Sequence, residues 1–137
     1  MIYYNYETNF KLDNESILSD WIVNVVTTYE FTIGEINYIF CDDTYLLALN
    51  KKFLSHDTLT DIISFDDTVG KLVSGDVFIS IDRVRENAFG YEVSFEEELY
   101  RVMIHGILHY LGFKDKTDKE KSQMRIAENN AICLLSI

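Results

Sequence analysis

Apolar positions along this chain follow two rhythms, and the changes from one to the other mark its elements. The opening run MIYYNY, residues 1–6, is aromatic and apolar enough to predict an edge strand. Behind Asn14, the positions Ile17, Leu18, Trp21, Ile22, Val25 and Val26 recur at helical spacing, which predicts a helix capped there. Gly34 precedes a strand-like run from Glu35 to Cys41. Asp42 or Asp43 can then cap a short helix through about Phe53, with Leu46, Leu47 and Leu49 toward the core. Thr60–Phe65 and Lys71–Ile81 are β-rich runs on either side of a turn at 66–70, so they read as an antiparallel pair.

From there on the period is helical. Asp82 opens a helix closed near Gly90. Ser94 with Glu97 forms a capping box for a longer helix that reaches Leu111 and stops at Gly112. Thr117 with Glu120 repeats the box, and Met124, Ala127, Ala131 and Leu134 follow at helical intervals. Strands early and helices late predict an α+β domain, a small four-stranded mixed sheet packed with about five helices.

Composition narrows this further. A chain of 137 residues with 47% hydrophobic and 14% aromatic content can build one core, so a single domain over 1–137 is expected. The net charge of -11 is the reverse of a nucleic-acid binder's basic footprint, so a polyanion would have to meet a local basic patch. No apolar run is long enough to cross a bilayer and the first residues lack signal-peptide character, so a soluble cytoplasmic protein without a membrane partner is expected. Cys41 and Cys133 form no C-x-x-C pair and read as reduced, structural residues.

The chemistry concentrates late in the chain. His105 and His109 lie four residues apart on one predicted helix, so both imidazoles project from the same face. That spacing suits a divalent metal, and it also suits two half-buried histidines with satisfied hydrogen bonds. Gly112 lets the chain double back and brings Asp115, ten residues after His105, within reach of the same ion. Two imidazoles and a carboxylate are a common catalytic zinc set, which leaves one position open for a water that zinc makes acidic. Peptidases of the H-E-x-x-H type carry a glutamate beside the first histidine; here that position is Gly106, which cannot take a proton.

The stretch from His105 to Phe113, HGILHYLGF, resembles the H-G-x-L-H-x-x-G-[YF] signature of the YbeY endoribonucleases. Two further blocks are similar to that family, Leu49-Asn50 followed by Thr60–Phe65, and Gly75–Ser80. The resemblance implies a zincin-like metal helix and one Zn²⁺ per chain held by His105, His109 and Asp115. It also implies a single-strand-preferring endoribonuclease acting in ribosomal RNA maturation and ribosome quality control. The implied partners are ribosomal RNA precursor and the ribosome, with no DNA expected.

Two departures from the family pattern matter. Asp115 stands where the family has a third histidine, and an anionic oxygen there makes bound water less acidic and lets harder ions compete. Leu54 stands where the family usually has a phosphate-holding arginine. A substitute is at hand, because Lys114, Lys116, Lys119, Lys121 and Arg125 place five of the twelve basic residues next to the metal segment. The same cluster can equally be a solvated helix start.

His56 could donate to a phosphate or protonate a leaving oxygen, and is otherwise an exposed loop residue. Asp61 and Asp76 could bond imidazole N–H groups or orient water, or simply cap turns. Tyr38, Phe40, Phe65 and Phe78 alternate as core or sheet-face residues do, which argues against their being base platforms. Two other functions fit the same residues: an RNA-binding ribosome-assembly module with a structural metal, and a metal hydrolase of a non-nucleic substrate.

Overall fold

The computed structural model describes residues 1–135. Its elements are β1 (Ile2–Tyr6), α1 (Glu15–Thr28), β2 (Thr32–Cys41), α2 (Asp43–Leu54), β3 (Ile62–Asp66), β4 (Leu72–Ser80), α3 (Ile81–Tyr91), α4 (Phe95–Tyr110) and α5 (Asp118–Cys133). The strands form one sheet in the order β1-β2-β4-β3, with β1, β2 and β4 parallel and β3 antiparallel to β4. This is the expected α+β architecture of a four-stranded mixed sheet and five helices.

Alternation along the strands assigns the two faces of the sheet. Ile36, Tyr38 and Phe40 of β2 and Val73, Val77 and Ile79 of β4 are buried in the larger core, which also holds the inward residues of α1, α4 and α5. Phe78, between Val77 and Ile79, points the other way, into a smaller cluster with Cys41, Leu46 and Ile63 beneath α2. Leu49 is half-buried against that cluster, and Leu47 is half-buried outside both clusters. Parallel neighbours need crossovers, and α1 supplies the one between β1 and β2.

Two long polar contacts tie helices to this frame. The buried Tyr38 hydroxyl donates to the Met103 carbonyl of α4 at 2.9 Å, and Trp21 Nε1 donates to the Ala131 carbonyl of α5 at 2.7 Å. Gly106 lets α4 lie close on the sheet, because a Cβ there would stand 3.1 Å from Ile62 Cδ1 and 3.2 Å from Val77 Cγ1. The absent side chain that rules out an H-E-x-x-H base is therefore also what seats the helix.

Several local expectations are corrected. β2 starts at Thr32, and Gly34 lies inside it at an irregularity in the pairing with β4. Asn14 is at the start of α1, but its side chain donates to the Tyr100 hydroxyl at 3.2 Å instead of capping. Ser80, not Asp82, caps α3; Asp82 is occupied accepting from the Asp43 N–H at 2.9 Å. Ser94 accepts from the Glu97 N–H at 3.1 Å without the reciprocal bond, whereas Thr117 and Glu120 form a complete capping box. Ile17 and Leu134 are exposed, and so is Cys133, which is not the structural residue expected; only Cys41 is buried, its thiol pushed up to about 12 by that burial.

Candidate metal centre

The C-terminal half of α4 and the loop after it build one side of the site. His105 and His109 stand one turn apart on α4, and the helix ends at Tyr110, whose hydroxyl lies 2.9 Å from the Asp76 carbonyl of β4. Gly112 then takes a positive φ of 104°, which a side chain would resist, and turns the chain back so that Asp115 faces the histidines. The His105 and His109 Nε2 atoms are 3.0 Å apart, and Asp115 Oδ2 lies 3.2 Å from the first and 3.3 Å from the second.

The hydrogen bonds behind these rings fix what the three atoms present. His109 Nδ1 donates to the Phe113 carbonyl at 3.0 Å, and His105 Nδ1 donates to Glu128 Oε2 of α5 at 2.7 Å. Both Nε2 atoms therefore offer lone pairs to the same point at which the Asp115 carboxylate aims. Three acceptors held this close repel one another unless a cation lies between them. A tetrahedral ion with ligand bonds of about 2.0–2.1 Å requires ligand atoms about 3.3–3.4 Å apart, near the spacing found. The donor set fits a divalent metal, and His105, His109 and Asp115 are the one such group among the described residues.

Electrostatics around the centre are strongly asymmetric. Burial opposes protonation of His105, but the Glu128 hydrogen bond and charge, with Asp115 and Asp61 beyond, outweigh it and hold the imidazole above its ordinary pKa. Burial likewise works against ionised Glu128, yet His105 and Arg101 together keep its carboxyl below the usual range. Arg101 donates to Glu128 Oε1 at 3.1 Å and to Asn129 at 3.0 Å. Burial raises the Asp61 carboxyl.

These groups line a cleft of about 520 Å³, walled by Ile62 and Val102, with Tyr91, Asp61, Glu98, Arg101, Arg125 and Glu128 beside His105 and Asp115.

The family description Endoribonuclease YbeY matches residues 3–135. The chain belongs to that family. It is 56% identical over 137 residues to the endoribonuclease YbeY of Flavobacterium johnsoniae, covering 100% of this chain and 99% of that one. To the Porphyromonas gingivalis protein of the same name it is 50% identical over 119 residues, 87% of this chain and 79% of the other. A solution structure from Thermotoga maritima has the same fold, with a TM-score of 0.71 at 24% identity over 98% of this chain and 89% of that one. This YbeY-family chain is accordingly a hydrolytic nuclease by descent, and no described helix is long and apolar enough to cross a membrane.

The sites read from sequence divide sharply in space. Asp61 reaches the cleft, with Asn87 Nδ2 donating to it at 3.4 Å, but the imidazole N–H groups are taken by Glu128 and Phe113 instead. Asp76 is away from the cleft and accepts from Asn37 Nδ2 at 3.1 Å. His56 lies exposed in the loop after α2 and does not line the cleft, and exposed Leu54 ends α2. Of the five clustered cations only Arg125 lines it; Lys114 borders a separate groove, and Lys116, Lys119 and Lys121 are exposed. The sequence reading missed Glu128, Arg101 and Glu98. A signal for them exists: Glu98, Arg101 and His105 share one stripe of α4, and Glu128 sits on the apolar stripe of α5 between Met124 and Ala131.

Proposed function

We propose that this chain is a zinc-dependent, single-strand-preferring endoribonuclease that acts on ribosomal RNA precursor in rRNA maturation and ribosome quality control, in the cytoplasm. The observation that carries the reading is the convergence of His105 Nε2, His109 Nε2 and Asp115 Oδ2 within 3.0–3.3 Å of one another. The named relatives supply the reaction class.

In this reading His105, His109 and Asp115 hold one Zn²⁺. A zinc ion bound there supplies Lewis acidity, which makes water a better nucleophile and offsets charge on a phosphodiester. Glu128 and the Phe113 carbonyl keep both imidazoles in the Nε2-ligand tautomer. Asp61, half-buried in the same cleft, can hold or orient water, and Arg125 on the rim is the cation best placed to meet the RNA backbone. The loop lysines 114, 116, 119 and 121 contribute diffuse, salt-dependent attraction, and His56 is left with no part close to the centre.

A set of three protein ligands favours catalysis over a structural metal, which takes four. The test is His109→Ala. It should lose both bound zinc, by metal analysis, and cleavage of single-stranded RNA; a metal-free variant that cuts RNA at the wild-type rate would sink the mechanism.

A further inference from the structure

The cleft beside the metal group contains a carboxylate with nothing to do. Glu98 is 6% exposed, yet its carboxylate is reached only by neighbouring charges and by no hydrogen bond. No fully enclosed polar side-chain atom among the described residues lacks a partner, so the Glu98 oxygens must open onto the cleft they line. A buried carboxylate without a donor is costly, which makes an incoming N–H group the natural complement. The remaining walls suit a flat ring. Ile62 and Val102 are apolar, and Tyr91, the last residue of α3, stands 66% exposed at the cleft.

We infer that this cleft is a nucleobase pocket, in which Glu98 accepts a hydrogen bond from the exocyclic amino group of an unpaired base and Tyr91 stacks on its face. The inference rests on the ribonuclease reading for the identity of the strand that delivers the base. Charge argues for a base and against a phosphate inside the cleft, because Asp61, Glu98, Asp115 and Glu128 outnumber its two arginines. Arg101 is already engaged by Glu128 and Asn129, and Arg125, 3.5 Å from Glu128, has its exposed side chain at the rim, where the backbone would pass. A second metal ion lacks ligands, since Asp61 and Glu98 belong to no group of three converging donors. Stacking on an aromatic tolerates any base, so discrimination falls to Glu98, which, set against the exocyclic position, accepts from the amino group of cytosine, adenine or guanine and repels the O4 carbonyl of uracil.

The test is an NMR titration of the zinc-loaded full chain with cytidine and uridine 5′-monophosphates. The two share their phosphate and ribose and differ only on the pairing edge of the base, at the C4 substituent and the N3 proton, so the ratio of their affinities isolates the base. Wild type should bind the cytidine nucleotide about tenfold more tightly. Glu98→Gln, whose amide can donate or accept, should bring the ratio close to one. Tyr91→Ala should weaken both nucleotides several-fold without changing the ratio, and Tyr91→Phe should restore them. Equal affinities in wild type, or a preference that survives in Glu98→Gln, would overturn the pocket; the wild-type ratio decides the matter even if the glutamine variant folds poorly. The titration breaks no bond. A protein that prefers cytidine but never cuts RNA would retire the ribonuclease reading alone, and an active ribonuclease indifferent to the base would retire the pocket alone.

Discussion

Glu128 of α5 accepts the Nδ1 hydrogen of His105 of α4 at 2.7 Å, and its second oxygen takes Arg101 at 3.1 Å. One buried carboxylate thus orients a metal-facing imidazole and joins the two helices that flank the cleft. The bond has two consequences, one for metal affinity and one for packing.

Replacing Glu128 by Ala frees the His105 ring and leaves the Arg101 guanidinium, largely buried, with one partner fewer. Metal affinity should fall about 10–100-fold, as read by competition with a chromophoric chelator. The same variant should lose about 1–3 kcal/mol of stability in urea unfolding of the metal-free chain, for the unmatched charge.

Asp115→His restores the family's usual three-histidine set. With its Oδ2 at 3.2–3.3 Å from both imidazoles, position 115 already points at the centre, so the variant should bind zinc at least as tightly as wild type. Its preference for zinc over manganese should also increase, because the nitrogen ligand suits the softer ion. Isothermal titration with each metal checks both, and a large drop in zinc affinity counts against Asp115 as a ligand.

Gly106→Val forces a branched side chain into the seam between α4 and the sheet, where even a Cβ would stand 3.1–3.2 Å from Ile62 and Val77. Overpacking should cost about 1–3 kcal/mol of stability. Because α4 must lift to relieve it, zinc affinity should fall in the same variant, although position 106 touches no metal. A chelator competition run beside urea denaturation reads the pair.

Glu98 gives a pH signature. Burial, with the neighbouring Asp61 charge, holds its carboxyl above the ordinary 4.5 in the folded chain. The unfolded chain therefore releases this proton first, and the contribution to stability present below about pH 4.5 is lost as pH rises through the folded value. Glu98→Gln has no such proton. Its stability relative to wild type should grow between about pH 4 and pH 7 in urea unfolding, and a constant difference would contradict the assigned direction.

The sequence alone was enough to bring the candidate metal-holding group together, since His105 and His109 are bound by helical periodicity to one face and Gly112 frees the chain to return at Asp115. The four strands, the antiparallel pairing of β3 with β4, and the helices opened by Ser94 and Thr117 were legible for the same reason: local spacing, a short turn and capping chemistry act over a few residues. What only the tertiary structure decided were relations between distant segments. Glu128 lies 23 residues from His105; its place on the apolar stripe of α5 marks it as inward-facing, but only the packing of α5 against α4 shows that His105 stands opposite. Likewise, Asp61 is carried into the cleft and His56 is left outside by the path of the loop before β3, while four of the five clustered cations are exposed and do not line it. Periodicity fixes which side of a helix a residue takes; only packing fixes what stands opposite, and the chemistry of this site lies in those opposing pairs.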